Sequence, residues 1–509
     1  MLLSKRGGPE TENKQRENFH TCNRKTREKQ RDCIPFVRFT PPLDWPWICT
    51  FLTVDLNNSV PFEPAARRDE RGILDSILSI FADVRRGEGA TALLLMSNIF
   101  ILLTAYYLIK PVREALILGG QGAEIKSYTG AIQALLFLAI VPVYSSFASR
   151  VNRIWLINGV MAFFLSNLVG FYLLGSLNIS IGIPFFIWVG LFNVMLVAQI
   201  WSFANDVYTP EQGRRLFAIT GIGSSLGAIF GAYLAGVFFD RLGPYSMMLV
   251  SATLLVLCMV LTTWIHRREK ARLPVARRPA VDPPIRGEGG FQLILRHRYL
   301  LLIAMMVLMT NLVNTTGEFI LGKAVKVEAQ AAVASSADPG LTQERYIGKF
   351  YADFFFWVNV VGAALQLFVV SRIMKHVGIS TALMLLPIIA LGSYALLAFA
   401  PVLRFVRITK IFENSTDYSI QNTARHALFL RTGRDSKYKA KAAIDNFFWR
   451  AGDALSALLV FVGSQFAMGL RGFAIANIVL VIVWLSVVAG IRKIRKEQLV
   501  LPVEQKTAA

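Results

Sequence analysis

The chain of 509 residues carries 54 Lys and Arg against 33 Asp and Glu, a formal charge of +21, yet 54% of it is apolar and its mean hydropathy is +0.47. Its apolar residues gather in runs of about 20, the length that crosses a bilayer, which marks a polytopic membrane protein and excludes a soluble domain. The basic residues lie mostly between those runs and in the N-terminal tail, where a membrane protein carries them anyway, so the charge does not mark a nucleic-acid binder.

Residues 1–70 are polar, basic and rich in Asn and Pro, and the apolar patch WPWICTFLTV at 45–54 is too short to span. They read as a disordered tail or as translated sequence upstream of the true start. ILDSILSIF at 73–81 sets Ile73, Leu74, Ile77, Leu78 and Phe81 on one helical face, which suits an amphipathic helix lying in the membrane interface over 71–90.

Twelve spans follow, at 91–110, 128–148, 154–175, 181–205, 216–238, 245–265, 299–321, 350–371, 379–400, 402–422, 442–468 and 473–491. Six precede the stretch 266–298, whose nine Lys and Arg and several prolines can bury no core, and six follow it. The expected architecture is therefore all-α: an N-terminal half at 91–265, a cytoplasmic linker at 266–298, a C-terminal half at 299–491 and a cytoplasmic tail at 492–509. Arg85, Arg86, Arg150, Arg153, Arg214, Arg215, the linker, Arg372, Lys375, the 425–441 loop and residues 492–496 fall on one side. By the positive-inside rule that side is cytoplasmic and holds both termini. The 28 residues from Gly322 to Lys349 form the one long loop on the far side. In span five, Gly223, Gly227, Gly231 and Ala235 recur every fourth residue, a spacing that lets two membrane helices approach closely and that has nothing to do with phosphate cradles.

Ionised groups inside a bilayer cost roughly 2.5 to 3.5 kcal/mol each on insertion scales, so they point to a cavity or a partner. Span ten carries Arg404, Arg407, Lys410, Glu413 and Asp417, with Arg407, Lys410, Asn414 and Asp417 spaced as one polar stripe. Arg113 and Glu114 follow span one, Asp206 closes span four, Asn314 and Glu318 lie in span seven, Asp353 opens span eight, and Asp445, Arg450 and Asp453 lie along span eleven. Lys410 with Glu413 and Arg450 with Asp453 are spaced as structural ion pairs. Taken together these groups suggest a wet cavity between the halves. Its Arg and Lys would suit an anionic substrate, with Asp206 and Glu318 as proton or counter-ion sites. Cys22, Cys33 and Cys49 sit in the tail and Cys258 in a span, and the five histidines lie in the tail or in loops. No metal or cofactor is expected, and a membrane-embedded enzyme would need a clustered catalytic set that is missing.

Several stretches resemble a known family. QIWSFANDVYTPEQGRRLFAITGIGSSLGAIFGAYLAG (199–236), DSKYKAKAAID (435–445), NLVNTT (311–316) and YLIKPVREALIL (107–118) look like corresponding parts of the nucleotide transporter family, the ATP/ADP translocases of plastids and intracellular bacteria. The resemblance runs in order over 73–495. It implies a twelve-helix fold similar to the major facilitator architecture, and exchange of ATP for ADP or nucleotide uptake with protons. Arg113 falls where that family has a basic residue implicated in transport, and Lys439 and Lys441 match its basic loop before span eleven. The chain departs from the family at Asn314 and Gln212, where acidic residues are common, and at QNTARHA (421–427), where Arg425 is the nearest basic match. It reads as a divergent bacterial branch.

The resulting expectation is a non-enzymatic, monomeric transporter in the bacterial inner membrane, moving a nucleotide by alternating access, with a sugar phosphate or carboxylate as the alternative cargo. Arg113, Asn314, Arg407, Lys410, Lys439, Lys441 and Arg450 are its candidate substrate contacts. Glu114, Asp206, Glu318, Asp417 and Asp445 are its candidate coupling or ion-pair groups.

Overall fold

The structure, a computed structural model, describes residues 73–80, 82–148, 151–270, 289–338, 340–432 and 439–500. The expected tail at 1–70, most of the linker and residues 435–438 of the 435–445 stretch lie outside the described residues. The described chain is helical, with no strand among its residues.

A short helix α1, Ile73–Leu78, precedes α2, Gly89–Gly120. The first turn of a helix leaves backbone N–H groups without partners. Here the Asp75 carboxylate accepts from the N–H groups of Gly87 and Gly89, each at 3.0 Å, and so fixes where α2 begins. The expected end of span one at residue 110 is corrected: Pro111 lies inside α2, which runs on for nine more residues. A proline removes one ladder hydrogen bond, but in a bundle it is tolerated where neighbouring helices enclose it. Tyr107, Leu108, Val112, Ala115 and Ile117 are all buried around it.

Helices α3 (Ala123–Ala148), α4 (Arg153–Ser176) and α5 (Gly182–Val207) follow. Next comes α6, Pro210–Lys270, which holds spans five and six in one 61-residue run bent at Gly243. Gly243 has φ +72°, a left-handed conformation that a side chain would resist, and Pro244 follows it, so the two spans join through a kink with no loop between them. At the start of α6, Thr209 and Gln212 cap each other reciprocally: Thr209 N–H donates to Gln212 Oε1 at 3.0 Å and Gln212 N–H donates to Thr209 Oγ1 at 3.3 Å. Gln212 performs this capping as well as an acid would.

After the linker come α7 (Gly290–Arg296), α8 (Arg298–Ser335), α9 (Gln343–Phe368), α10 (Val370–His376) and α11 (Ile379–Phe399). The expected long loop between spans seven and eight is also corrected, because α8 continues to Ser335 and α9 starts at Gln343. The Ala-rich sequence AVKVEAQAAVAS extends the helix past the apolar run. Span ten is α12 (Leu403–Thr416), a π-helical turn over Asp417–Gln421, and α13 (Asn422–Ala427). Span eleven is built the same way, from α14 (Lys441–Ala443), a π turn over Ile444–Phe448 and α15 (Trp449–Gln465), and α16 (Leu470–Val500) ends the described chain. Each of the twelve expected segments falls on helix. Among the described residues, nine helices are long and apolar enough to cross a membrane, the bent α6 being one of them.

Packing follows from small residues. A Cβ built on Gly223, Gly227 or Gly231 would stand 2.4, 2.4 and 2.6 Å from the carbonyl oxygens of Met96, Phe100 and Thr104. The first part of α6 therefore lies backbone to backbone against α2. Asn98 Nδ2 donates to Thr262 Oγ1 at 2.7 Å and Ser251 Oγ to the Ala105 carbonyl at 3.1 Å, tying the second part of α6 to the same helix. Helices from before the linker meet helices from after it where α6 and α2 pack on α9 and α3 packs on α15 and α8, and this seam gathers the charges.

Candidate functional site

On one side of the seam, the continuation of α2 past Pro111 carries Arg113 and Glu114 inward. Glu114 is 1% exposed and pairs with two cations: the Arg113 guanidinium, whose Nε donates to Oε1 at 3.0 Å, and Lys126 of α3, whose Nζ lies 2.6 Å from Oε2. Lys110, one turn earlier, sets its ammonium 4.0 Å from the Phe355 ring centre and 4.9 Å from that of Tyr107. Lys126 stands 5.4 Å from the ring of Tyr351, and Arg113 stacks 4.7 Å over Phe186. Cations set over ring faces keep their charge at a low desolvation cost. A cleft beside Tyr107, between α2, α6, α9 and the Asp417–Gln421 turn, is lined by Ser224, Ser225, Asn359 and Tyr418.

Across the seam, Lys410 of α12 is 1% exposed and centres a second network. Its Nζ donates to Asn314 Oδ1 at 2.9 Å and to Glu413 Oε2 at 3.1 Å, and lies 3.7 Å from Glu318. Asn414 Nδ2 donates to Glu318 at 2.9 Å, and the Tyr394 hydroxyl of α11 donates to Glu413 Oε2 at 3.1 Å. The i, i+3 and i+4 spacing of Lys410, Glu413 and Asn414 turns all three toward α8 and α11. Burial of such a set is tolerable because the charges compensate one another.

The other expected residues fall in three places. Asp453 accepts from Asn311 at 2.7 Å, from Thr315 at 3.0 Å and from Arg450 at 3.3 Å, and Arg450 also lies 4.3 Å over Phe137, so this group locks α15 to α8 and faces α3. Lys441 and Asp445 are buried and bonded to each other at 3.0 Å, one turn apart, while Arg425 bonds Asn422 at 2.9 Å and lies 4.9 Å over Trp449. Lys439 presents its backbone carbonyl to Gly290, where an added Cβ would be 2.5 Å away, so the entry to span eleven rests on α7. Arg407 turns away from Lys410: it pairs with Asp353 and lines a groove with Arg404, Tyr346, Phe350 and Trp357. Asp206 is exposed and pairs with Arg153 at 2.9 Å at the end of α5. Asp417 is half-buried and lines a small cavity with Glu413.

Lys110, Lys126, Tyr351 and Tyr394 belong to these networks, yet sequence reasoning passed over them. Lys126 sits between two apolar runs and resembles a loop residue, and a lone tyrosine in a span carries no signal of its partner. Lys110 could have been found, because three residues after it Arg113 repeats the charge on the same helix.

A helical bundle with a charged seam between two sets of helices suits a transporter, and residues 89–412 match the Major Facilitator Superfamily, to which the chain belongs. The fold is that of solved carriers. A bacterial homologue of the human lysosomal transporter Spinster, in an inward-facing, unoccupied conformation, has a TM-score of 0.53 and 13% identity over 81% of this chain and 98% of its own. The nucleoside transporter NupG has a TM-score of 0.54 and 10% identity over 80% and 99%.

Within that superfamily the chain is a divergent relative of the ADP,ATP carriers. It is 24% identical to ADP,ATP carrier protein 1 of Chlamydia trachomatis over 59% of this chain and 63% of that protein. It is 23% identical to ADP,ATP carrier protein 4 of Rickettsia bellii over 52% and 56%. The chain thus spans less than two thirds of the length of these relatives.

Proposed function

We propose that this multi-pass membrane protein moves nucleotides, exchanging ATP for ADP or taking nucleotides up, by alternating access at the seam between the halves 91–265 and 299–491. The observation that carries the reading is the set of buried cations beside aromatic rings: Lys110, Arg113 and Lys126 against Tyr107, Phe355, Phe186 and Tyr351. Guanidinium and ammonium groups suit phosphates, and flat rings suit a base, whose stacking is sequence-tolerant. Similarity to ADP,ATP carriers supports the same cargo. Lys410 contributes from the opposite set, and Arg450, Lys441 and Lys439 extend the cationic path along span eleven. Asn314 holds Lys410 in place. Glu114, Glu318, Asp417 and Asp445 compensate these cations when no anion is bound, and Asp206 anchors the end of span four. The positive-inside pattern supports a bacterial inner-membrane location with both termini cytoplasmic. The protein is read as acting as a monomer.

The test is counterflow in proteoliposomes holding the purified full chain and loaded with unlabelled ADP. Labelled ATP should enter, and Arg113→Ala should slow entry by about 30- to 150-fold, as expected from loss of one charge-assisted contact worth about 2–3 kcal/mol. Uptake of another organic anion, with neither uptake of nor competition by any nucleotide, would replace this reading.

A further inference from the structure

A small cavity inside the second set of helices is lined by Thr310 and Asn314 of α8, Leu386 of α11, Glu413 of α12, Asp417 and Trp484 of α16. Glu413 is 4% exposed. Both of its hydrogen bonds, from Lys410 and Tyr394, go to Oε2, and its Oε1 has no partner among the described residues. Trp484 Nε1 in the same wall is also without a partner among them. The groups around Glu413 are Lys410 and Asp417 from its own helical run, Asn314 and, through Lys410, Glu318 of α8, Tyr394 of α11 and Trp484 of α16, while Asn477 of α16 donates to the Val313 carbonyl. Arg425 of α13 acts on Asp417, Arg113 acts on Glu318, and α9 on the far flank brings Asp353, which Arg407 holds.

We propose that Glu413 is a proton-binding site coupled to anion binding through Lys410. The inference rests on reading the chain as an anion carrier. Among the described residues Lys410 is the one cation bonded to Glu413, and it reaches Asn314 and Glu318 at the same time. An anion arriving at the seam draws the Lys410 ammonium toward itself. Glu413 is then left buried with Tyr394 as its donor, and an uncompensated buried carboxylate is strongly disfavoured. A proton from the aqueous phase bonds to Oε1, the oxygen without a partner, and neutralises the group. When the anion leaves, Lys410 returns and the proton goes back to water. Anion and proton therefore bind together, and the carrier couples its cargo to the proton gradient.

Infrared difference spectra, acid minus alkaline, of the purified full chain in lipid nanodiscs read this site directly. The expected result is a protonated-carboxyl C=O band that shifts in D2O, disappears in Glu413→Gln and persists in Asp417→Asn and Glu318→Gln. In Lys410→Gln the carboxyl should stay protonated throughout, so the band should cancel from the acid-minus-alkaline difference and stand in the absolute spectra at every pH tested. At fixed pH, ATP should strengthen it in the wild type and leave it unchanged in Lys410→Gln. If Glu413→Gln does not fold by gel filtration, Glu413→Asp decides, because it should move the band in frequency without abolishing it. No band in the wild type, or a band indifferent to both Glu413 substitutions, overturns the proposal. So does a band displaced by sodium but not by choline, which would make the site one for a metal cation, or a Glu413 band that no anion moves. A Glu413 band that answers inorganic phosphate and not ATP supports the proton site and overturns the nucleotide reading.

Discussion

At the N-terminal end of α2, Glu88 shows how one carboxylate can organise the entry to a membrane helix. The Arg215 guanidinium of α6 donates to both of its oxygens, at 3.0 and 2.9 Å, and Gln212 Nε2 donates at 3.1 Å. Burial by itself would raise the Glu88 carboxyl, but these bonds and the Arg85 backbone N–H outweigh it and hold the group below its ordinary value. A carboxylate depressed in the folded state contributes stability that is present above the unfolded value near 4.5 and is lost as pH falls through the lower folded value. Glu88→Gln should therefore lower the thermal midpoint in detergent at pH 7, by about 1 kcal/mol in stability. The wild-type advantage should shrink progressively as pH falls below about 4.5 and through the lower folded value, and a constant gap between the two proteins across that fall would contradict this.

Helices rather than single residues decide how closely the bundle packs. A Cβ added to Gly227 would stand 2.4 Å from the Phe100 carbonyl oxygen and 3.0 Å from the Phe100 Cα, backbone atoms that cannot move aside, whereas a Cβ on Gly236 of the same helix meets its nearest neighbour at 3.9 Å. Gly227→Ala should destabilise the protein by about 1–3 kcal/mol in thermal melts, while Gly236→Ala should leave it unchanged or slightly more stable. The fourfold small-residue spacing was legible because it depends on sequence alone, and the twelve runs were legible because hydropathy sums over a whole span. Span ends were not legible. Pro111 breaks a helix in water yet is carried by buried neighbours here, and α8 outruns its apolar stretch through Ala-rich propensity that hydropathy does not register. The site was half legible. Charges in spans announced themselves, but the partners that give them meaning, Lys126 for Glu114 and Tyr394 for Glu413, come from the adjacent helix in each case, across a turn of the chain that helical spacing does not reach. Arg407 shares a numerical stripe with Lys410, yet it turns to Asp353 because a salt bridge across to α9 lay within reach.

Across the whole molecule the ion pairs are unevenly placed. At the end where α2 finishes and α3 begins, pairs cross the seam: Lys323 with Glu124 at 3.0 Å, and Lys349 with Asp240, next to Gly348 pressed on Phe239. At the opposite end the described pairs Arg85–Glu211, Arg215–Glu88 and Arg153–Asp206 stay within the first set of helices. Among the described pairs, those that pin the two sets to each other lie at the end where α2 finishes. On an alternating-access cycle the pinned end must part once per turnover. Cysteines at 124 and 323 bridged by a bifunctional methanethiosulfonate cross-linker should therefore cut exchange at least tenfold, with recovery on reduction; full exchange by the cross-linked protein would mean that this end does not open.

The extension of α8 also matters beyond transport. Its 38 residues measure about 57 Å, roughly 27 Å more than the hydrocarbon core is thick, and it returns through α9 after a link of only seven residues, 336–342. The helix therefore outlasts the apolar layer by about five turns, and its last, largely exposed turns offer a landmark for imaging a 56.7 kDa particle and a foothold for an antibody fragment.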